Sequence, residues 1–163
     1  MHDRICVSNG ASNPTNHHQS TVLQRLMSPL ANPAGAAVGV DAVHIPTWAD
    51  ILARSGSAVE NKIYTDQELK FACGRADRLA TRFAAKEAVL KALGTGIRGV
   101  GLQDVEVVCR PEGAPEVALH GAARNRHGEL HLGPIAVSLC HEEDMAYAVA
   151  LALPLSGLTE GSP

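Results

Sequence analysis

The sequence predicts an α+β domain in which antiparallel hairpins pack on one long helix. Three observations carry this reading. An alanine-rich helical stretch runs from Asp77 to Gly94. Two later stretches, Val105–Leu119 and Ala136–Leu153, each hold a pair of short apolar segments around a turn, the pattern of a hairpin. The order is strand, then helices, then hairpins, which segregates the elements instead of repeating βαβ units.

Residues 1–35 read as a tail rich in Ser, Asn, Pro, Gly and His, without sustained period. Thr21–Leu26 allows one helical turn, and Met27 is an alternative start. His2, His17 and His18 define no coordination geometry and are read as tail residues. The folded domain spans 36–155. Ala36–Val43 is short, apolar and β-branched, a strand interrupted near its end by Asp41. Thr47 and Asp50 resemble a capping box for a helix through Trp48, Ile51 and Leu52 that stops near Gly56. Thr65 caps a second helix with Glu68 three residues on. Asp77 opens the long helix, and Gly94 suits a left-handed C-terminal cap. Val105–Cys109 and Glu116–Leu119 flank a broad turn; Ala136–Cys140 and Ala146–Leu153 flank His141-Glu142-Glu143-Asp144. Residues 156–163 read as a frayed end.

Composition narrows the function classes. The 163 residues suffice for one core, and with 3% aromatics it must be built from Ala, Val, Leu and Ile. A net charge of -3 argues against a general nucleic-acid binder. No apolar run reaches the roughly 18 residues of a membrane span, and the first residues lack a signal peptide's apolar stretch. Cys6, Cys73, Cys109 and Cys140 are widely spaced, as in a reduced, cytoplasmic protein.

Four groups can carry chemistry. Glu87 and Lys91 stand i, i+4 on a helix face shared with Ala80, Phe83, Ala84 and Leu90. They are either an exposed ion pair or an acid and a base held for a ligand. Asp41 lies in an apolar strand, where an unpaired acid is unusual. It either caps the following helix or joins Glu87 in a hard-oxygen site suited to magnesium, which completes its shell with water and phosphate. Gly94-Thr95-Gly96-Ile97-Arg98-Gly99 matches G-x-G-x-x-G but follows a helix instead of opening one, which rules against a dinucleotide-binding oxidoreductase. It is a simple turn or a phosphate-approaching loop. His141 is an exposed turn residue or a contact for an anionic ligand. Cys140 beside it forms no Cys–His pair, because neighbouring strand residues face opposite sides.

Three separated motifs then line up with one family. Gly39-Val40-Asp41, Arg82-Phe83-Ala84-Ala85-Lys86-Glu87-Ala88 with Lys91-Ala92 and Gly94-Thr95-Gly96, and Val137-Ser138-Leu139-Cys140-His141 with Ala146–Ala150 resemble, in order and spacing, the holo-acyl-carrier-protein synthases. The resemblance covers about residues 36–155 and implies the 4′-phosphopantetheinyl transferase fold. It implies an enzyme that moves phosphopantetheine from coenzyme A to a serine of an apo acyl carrier protein, with Mg2+, in fatty-acid or related carrier-protein metabolism. It implies Asp41 and Glu87 as magnesium ligands and Asp41, Glu87 and Lys91 as catalytic residues, with Glu87 the preferred base. Arg82, Lys91, Gly94, Thr95, Gly96 and His141 are then the coenzyme A contacts, in a homotrimer with sites between subunits.

Departures from the family pattern are His44, where many members have Glu, Cys140, where many have Ser or Thr, and the long tail. They bear on substrate preference more than on activity. An acidic carrier needs a basic surface; the first helix offers only Arg54, with Lys62, Lys70, Arg75 and Arg78 further on. A non-catalytic carrier-protein or coenzyme A binding module of the same fold is the alternative, disfavoured because both acids and the lysine are present.

Overall fold

The computed structural model describes residues 35–96, 99–110 and 112–155. The readings made on residues 1–34, Ile97, Arg98 and 156–163 lie outside these. The order is β1 (Ala37–His44), α1 (Ile45–Ser55), α2 (Ser57–Ile63), α3 (Asp66–Ala72), α4 (Ala76–Ala92), β2 (Val105–Cys109), β3 (Pro115–Leu119), α5 (Gly121–Glu129), β4 (Ala136–Glu142) and β5 (Met145–Ala152). The strands form an antiparallel sheet ordered β1-β5-β4 and a separate β2-β3 hairpin. The α+β class and the long helix are as the sequence predicts.

Helix α4 lies against the three-stranded sheet with small residues on both sides of the contact. Ala84, Ala85 and Ala88 of α4 and Ala146, Ala148, Ala150 and Ala152 of β5 are buried. The approach is so close that a Cβ at Gly39 would stand 1.8 Å from the Ala88 carbonyl oxygen. Any larger residue there must push helix and strand apart, so Gly39 sets the spacing that places Asp41 beside α4. The core thus saves volume through alanine and glycine, and the close contact supplies dispersion in place of large side chains.

A second core region joins α1, α3 and the start of α4. Trp48, Leu52, Tyr64, Ala72 and Leu79 are buried together. Trp48 Nε1 donates to Tyr64 Oη at 2.8 Å, which donates to the Leu79 carbonyl at 2.9 Å. This chain satisfies two aromatic polar atoms inside an apolar cluster and fixes α1 against α4.

Several boundaries differ from the sequence reading. Helix α1 begins at Ile45, with His44 as cap: its Nδ1 accepts from the Thr47 backbone N–H at 3.3 Å. The Thr47–Asp50 box is therefore not the start, because Pro46 fits the first turn and extends the helix backwards. The box at Thr65 and Glu68 is present as read. Helices α2 and α5 were not legible; neither has a side-chain cap. The last hairpin is tighter than expected. β4 continues through His141 and Glu142, and the turn is Glu143-Asp144, with Glu143 at φ 48°.

Candidate active site

Three of the candidate residues, Asp41, Glu87 and Lys91, meet where β1 ends beside the middle of α4. A cavity of about 380 Å³ opens there, lined by Asp41, Val43, His44, Thr47, Trp48, Ile51, Phe83, Glu87 and Lys91, with Ala42. β1 presents Asp41 because Gly39, Asp41 and Val43 alternate onto the face toward α4. α4 presents Phe83, Glu87 and Lys91 because they follow at i, i+4 and i+8. α1 closes one side with Trp48, whose ring stacks on Phe83 at 4.0 Å between centroids and 25° between planes. The result is a charged floor under an aromatic wall.

The charges on that floor are incompletely matched. Lys91 Nζ lies 2.7 Å from Asp41 Oδ1 and donates to the Val40 carbonyl at 3.0 Å. Glu87 Oε1 is buried without any hydrogen-bond partner. Burial, and then the neighbouring Asp41 charge, push the Glu87 carboxyl above the ordinary glutamate value, against the pull of Lys91. A buried, unpartnered carboxylate oxygen beside a second carboxylate, on a residue that lines the cavity, fits a hard divalent cation that draws its remaining oxygens from water and phosphate. Among the described residues no group of three or more His, Cys, Asp or Glu is gathered to hold a metal, so two carboxylates are what the chain offers.

The other sequence candidates lie elsewhere. Arg82 is buried on another side of α4, with its guanidinium 4.0 Å over the Phe71 ring and 3.6 Å from Cys109 Sγ. Gly94 and Gly96 have φ of 69° and 53° and carry the chain out of α4. Thr95 donates backbone N–H and hydroxyl to the Leu90 carbonyl, at 3.2 and 3.4 Å. His141 is exposed and points toward the start of α4, 3.7 Å from Asp77 Oδ2. Arg75 grips Asp77 through two nitrogens and, as the leading cause, holds its carboxyl below the usual range. None of these five residues (Arg82, Gly94, Thr95, Gly96, His141) lines the cavity.

Sequence reasoning missed what lies next to Glu87. Lys86 is fully buried and pairs with Glu68 at 2.7 Å, also fully buried. Lys86 Nζ also donates to the carbonyls of Leu102 and Val105, and Glu68 accepts from the backbone N–H groups of Thr65 and Val107. A signal was available: Lys86 follows Leu79 by seven residues and precedes Leu90 by four, so it sits on their apolar face.

Comparison with known proteins gives the family and the fold. A sequence profile of the 4′-phosphopantetheinyl transferase superfamily matches residues 37–152. A holo-[acyl-carrier-protein] synthase of Gloeobacter violaceus is 45% identical over 120 residues, 69% of this chain and 87% of the relative. One from Geotalea daltonii is 40% identical over 115 residues, 68% and 92% of the two chains. Among solved structures, a holo-[acyl-carrier-protein] synthase from Neisseria meningitidis superposes with a TM-score of 0.64 at 32% identity, covering 71% of this chain and 96% of that one. The coenzyme A complex of a Chronobacterium ammoniagenes ACPS gives 0.63 at 33% identity, covering 74% and 98%. The matched span contains both cavity acids, Lys91 and the helix that carries them, and on that ground the chain belongs to the 4′-phosphopantetheinyl transferase superfamily, among its holo-acyl-carrier-protein synthases.

Proposed function

We propose that this chain transfers 4′-phosphopantetheine from coenzyme A to a serine hydroxyl of an apo acyl carrier protein, releasing adenosine 3′,5′-bisphosphate. The observation that carries the reading is that Asp41, Glu87 and Lys91 line one cavity and that a buried Glu87 oxygen there has no partner. Two carboxylates and one lysine suit a diphosphate delivered with a divalent cation.

In the reaction the serine oxygen bonds to the phosphorus that bears pantetheine, and the bond from that phosphorus to the bridging oxygen breaks. Asp41 and Glu87 would hold Mg2+, which when bound would supply positive charge against the diphosphate oxygens. Glu87 is the preferred base for the serine proton. Lys91, on a flexible stem, offsets negative charge on the departing bisphosphate. Trp48 and Phe83 exclude water from one side of the cavity.

The protein acts as a homotrimer in this reading. One face of the β1-β5-β4 sheet carries Val38, Val40, Tyr147, Val149 and Leu151, all 40% exposed or more, and registered as cross-strand neighbours, with Ala42 opposite Tyr147. Such an apolar face needs a cover. A pocket shared between copies also accounts for His141 and the Gly94–Gly96 loop lying away from the cavity of their own chain, whereas Arg82 is buried within its own chain. In this reading the protein works in the cytoplasm, on coenzyme A and carrier protein found there. No helix among the described residues is long and apolar enough to cross a membrane.

Intact mass spectrometry of an apo acyl carrier protein, incubated with this protein, coenzyme A and Mg2+, tests the function. The expected result is a gain of one phosphopantetheine, abolished by EDTA. No gain on several carriers, with coenzyme A binding shown separately, would replace the transferase by a binding module.

A further inference from the structure

Lys91 spends its ammonium on oxygens that a cation would otherwise use. It contacts the Asp41 carboxylate and the Val40 carbonyl at 2.7 and 3.0 Å, yet leaves Glu87, one helical turn away, with a buried bare oxygen. Its side chain is 49% exposed, so solvent reaches it there. A half-exposed four-carbon stem anchored at its tip by one ion pair and one hydrogen bond can move at small cost.

We propose that Lys91 is the resident counter-ion of Asp41 in the ligand-free chain, and that cation and diphosphate enter by exchange: the cation takes the two carboxylates while the displaced ammonium takes the diphosphate. This deepens the reading under Proposed function and rests on it. Charge pairing explains why the two ligands help each other. A cation arriving alone strands Lys91 beside a like charge. A diphosphate arriving alone draws Lys91 off and leaves Asp41 and Glu87 facing each other unneutralised. Only when both arrive does every charge keep a partner. The coupling must be reciprocal, since it is a single free energy shared by two sites. Lys91 is thereby a positioning residue for the cation as well as a contact for the diphosphate.

The test reads metal binding, not turnover. Mn2+ is titrated into the full-length protein and its free electron paramagnetic resonance signal is followed, first without and then with saturating coenzyme A. In the unmodified protein, coenzyme A should tighten Mn2+ binding by about tenfold or more, within the usual range of coupling between sites. Lys91→Met keeps the stem and removes the charge. It should bind Mn2+ alone about tenfold tighter than the unmodified protein, and the gain from coenzyme A should shrink. Lys91→Gln carries the same expectation and serves if Lys91→Met does not fold. Mn2+ binding by these variants that equals or falls below that of the unmodified protein overturns the exchange. Asp41→Asn and Glu87→Gln separate the two levels. Loss of Mn2+ binding in both supports the carboxylates as its ligands; unchanged binding in both overturns the cation reading itself, and the exchange with it.

Discussion

Lys86 and Lys91 leave α4 about 140° apart around the helix axis, and each meets a carboxylate at 2.7 Å. Around Lys86 everything is closed. Both side chains are fully buried, and backbone groups from Thr65, Leu102, Val105 and Val107 complete the set. Burial alone would pull the Lys86 ammonium well down; the Glu68 charge opposes this. The pair ties α3 and the β2-β3 hairpin to α4. Around Lys91 the set is open: Asp41 is matched, Glu87 is not, and a cavity lies over both. A polar group that folding has fully satisfied has nothing left to offer a ligand. One that folding has left short is where a ligand can repay the deficit.

The largest expected effect breaks the open set. Glu87→Gln keeps the shape of the side chain and removes its charge, and should lower the carrier-modification rate by at least about a thousandfold, with circular dichroism unchanged. A rate within tenfold of the unmodified protein removes Glu87 from the mechanism. The next effect breaks the closed set. Lys86→Met leaves the Glu68 charge buried alone and should cost about 3–5 kcal/mol in urea unfolding. The double change Lys86→Met, Glu68→Gln should recover a large part of that loss; an equally unstable double variant would mean that the backbone bonds, not the charge pair, hold α3 in place.

Smaller effects sharpen the contrast. The Lys91–Asp41 pair is partly solvated, so Lys91→Met should change stability by less than about 1 kcal/mol while still slowing transfer. A larger loss in the same urea titration would make Lys91 a structural residue. The smallest effect is a pH dependence. The Glu87 carboxyl binds its proton more tightly folded than unfolded, so its ionisation opposes folding. Below about pH 3 the group is protonated in both states and the penalty is absent; it grows as pH rises from the unfolded value to the raised folded value and is complete above that. Ligand-free Glu87→Gln should therefore melt higher than the unmodified protein at pH 7, with the difference vanishing at about pH 3. A calorimetric difference independent of pH would assign the gain to something other than this carboxyl.

Local signals account for what the sequence revealed. The Thr65 box, the left-handed exit at Gly94 and the period of α4 are written within a few residues of where they act. The acids Asp41 and Glu87 were visible because each sits wrongly for its surroundings, one in a strand and one on an apolar helix face. What stayed hidden depends on distance along the chain. Glu68 and Lys86 are both ordinary surface residue types, and only the fold makes them partners. Helices α2 and α5 lack side-chain caps, and Gly121 and Gly128 weaken the helical pattern of α5; tertiary contacts decide them. The cavity wall combines Trp48 and Phe83, whose stacking no spacing rule connects. The Gly39 contact, which brings Asp41 to α4, reads in sequence only as a glycine before an acid.

The most direct test of the account compares two proteins side by side in the carrier-modification assay, after each is shown to be folded. One is Glu87→Gln; the other is the double variant Lys86→Met, Glu68→Gln. The first should be folded and inactive, and the second should transfer phosphopantetheine at a rate within about tenfold of the unmodified protein. An active Glu87→Gln, or a folded but inactive double variant, would contradict the division of α4 into a closed structural pair and an open chemical one.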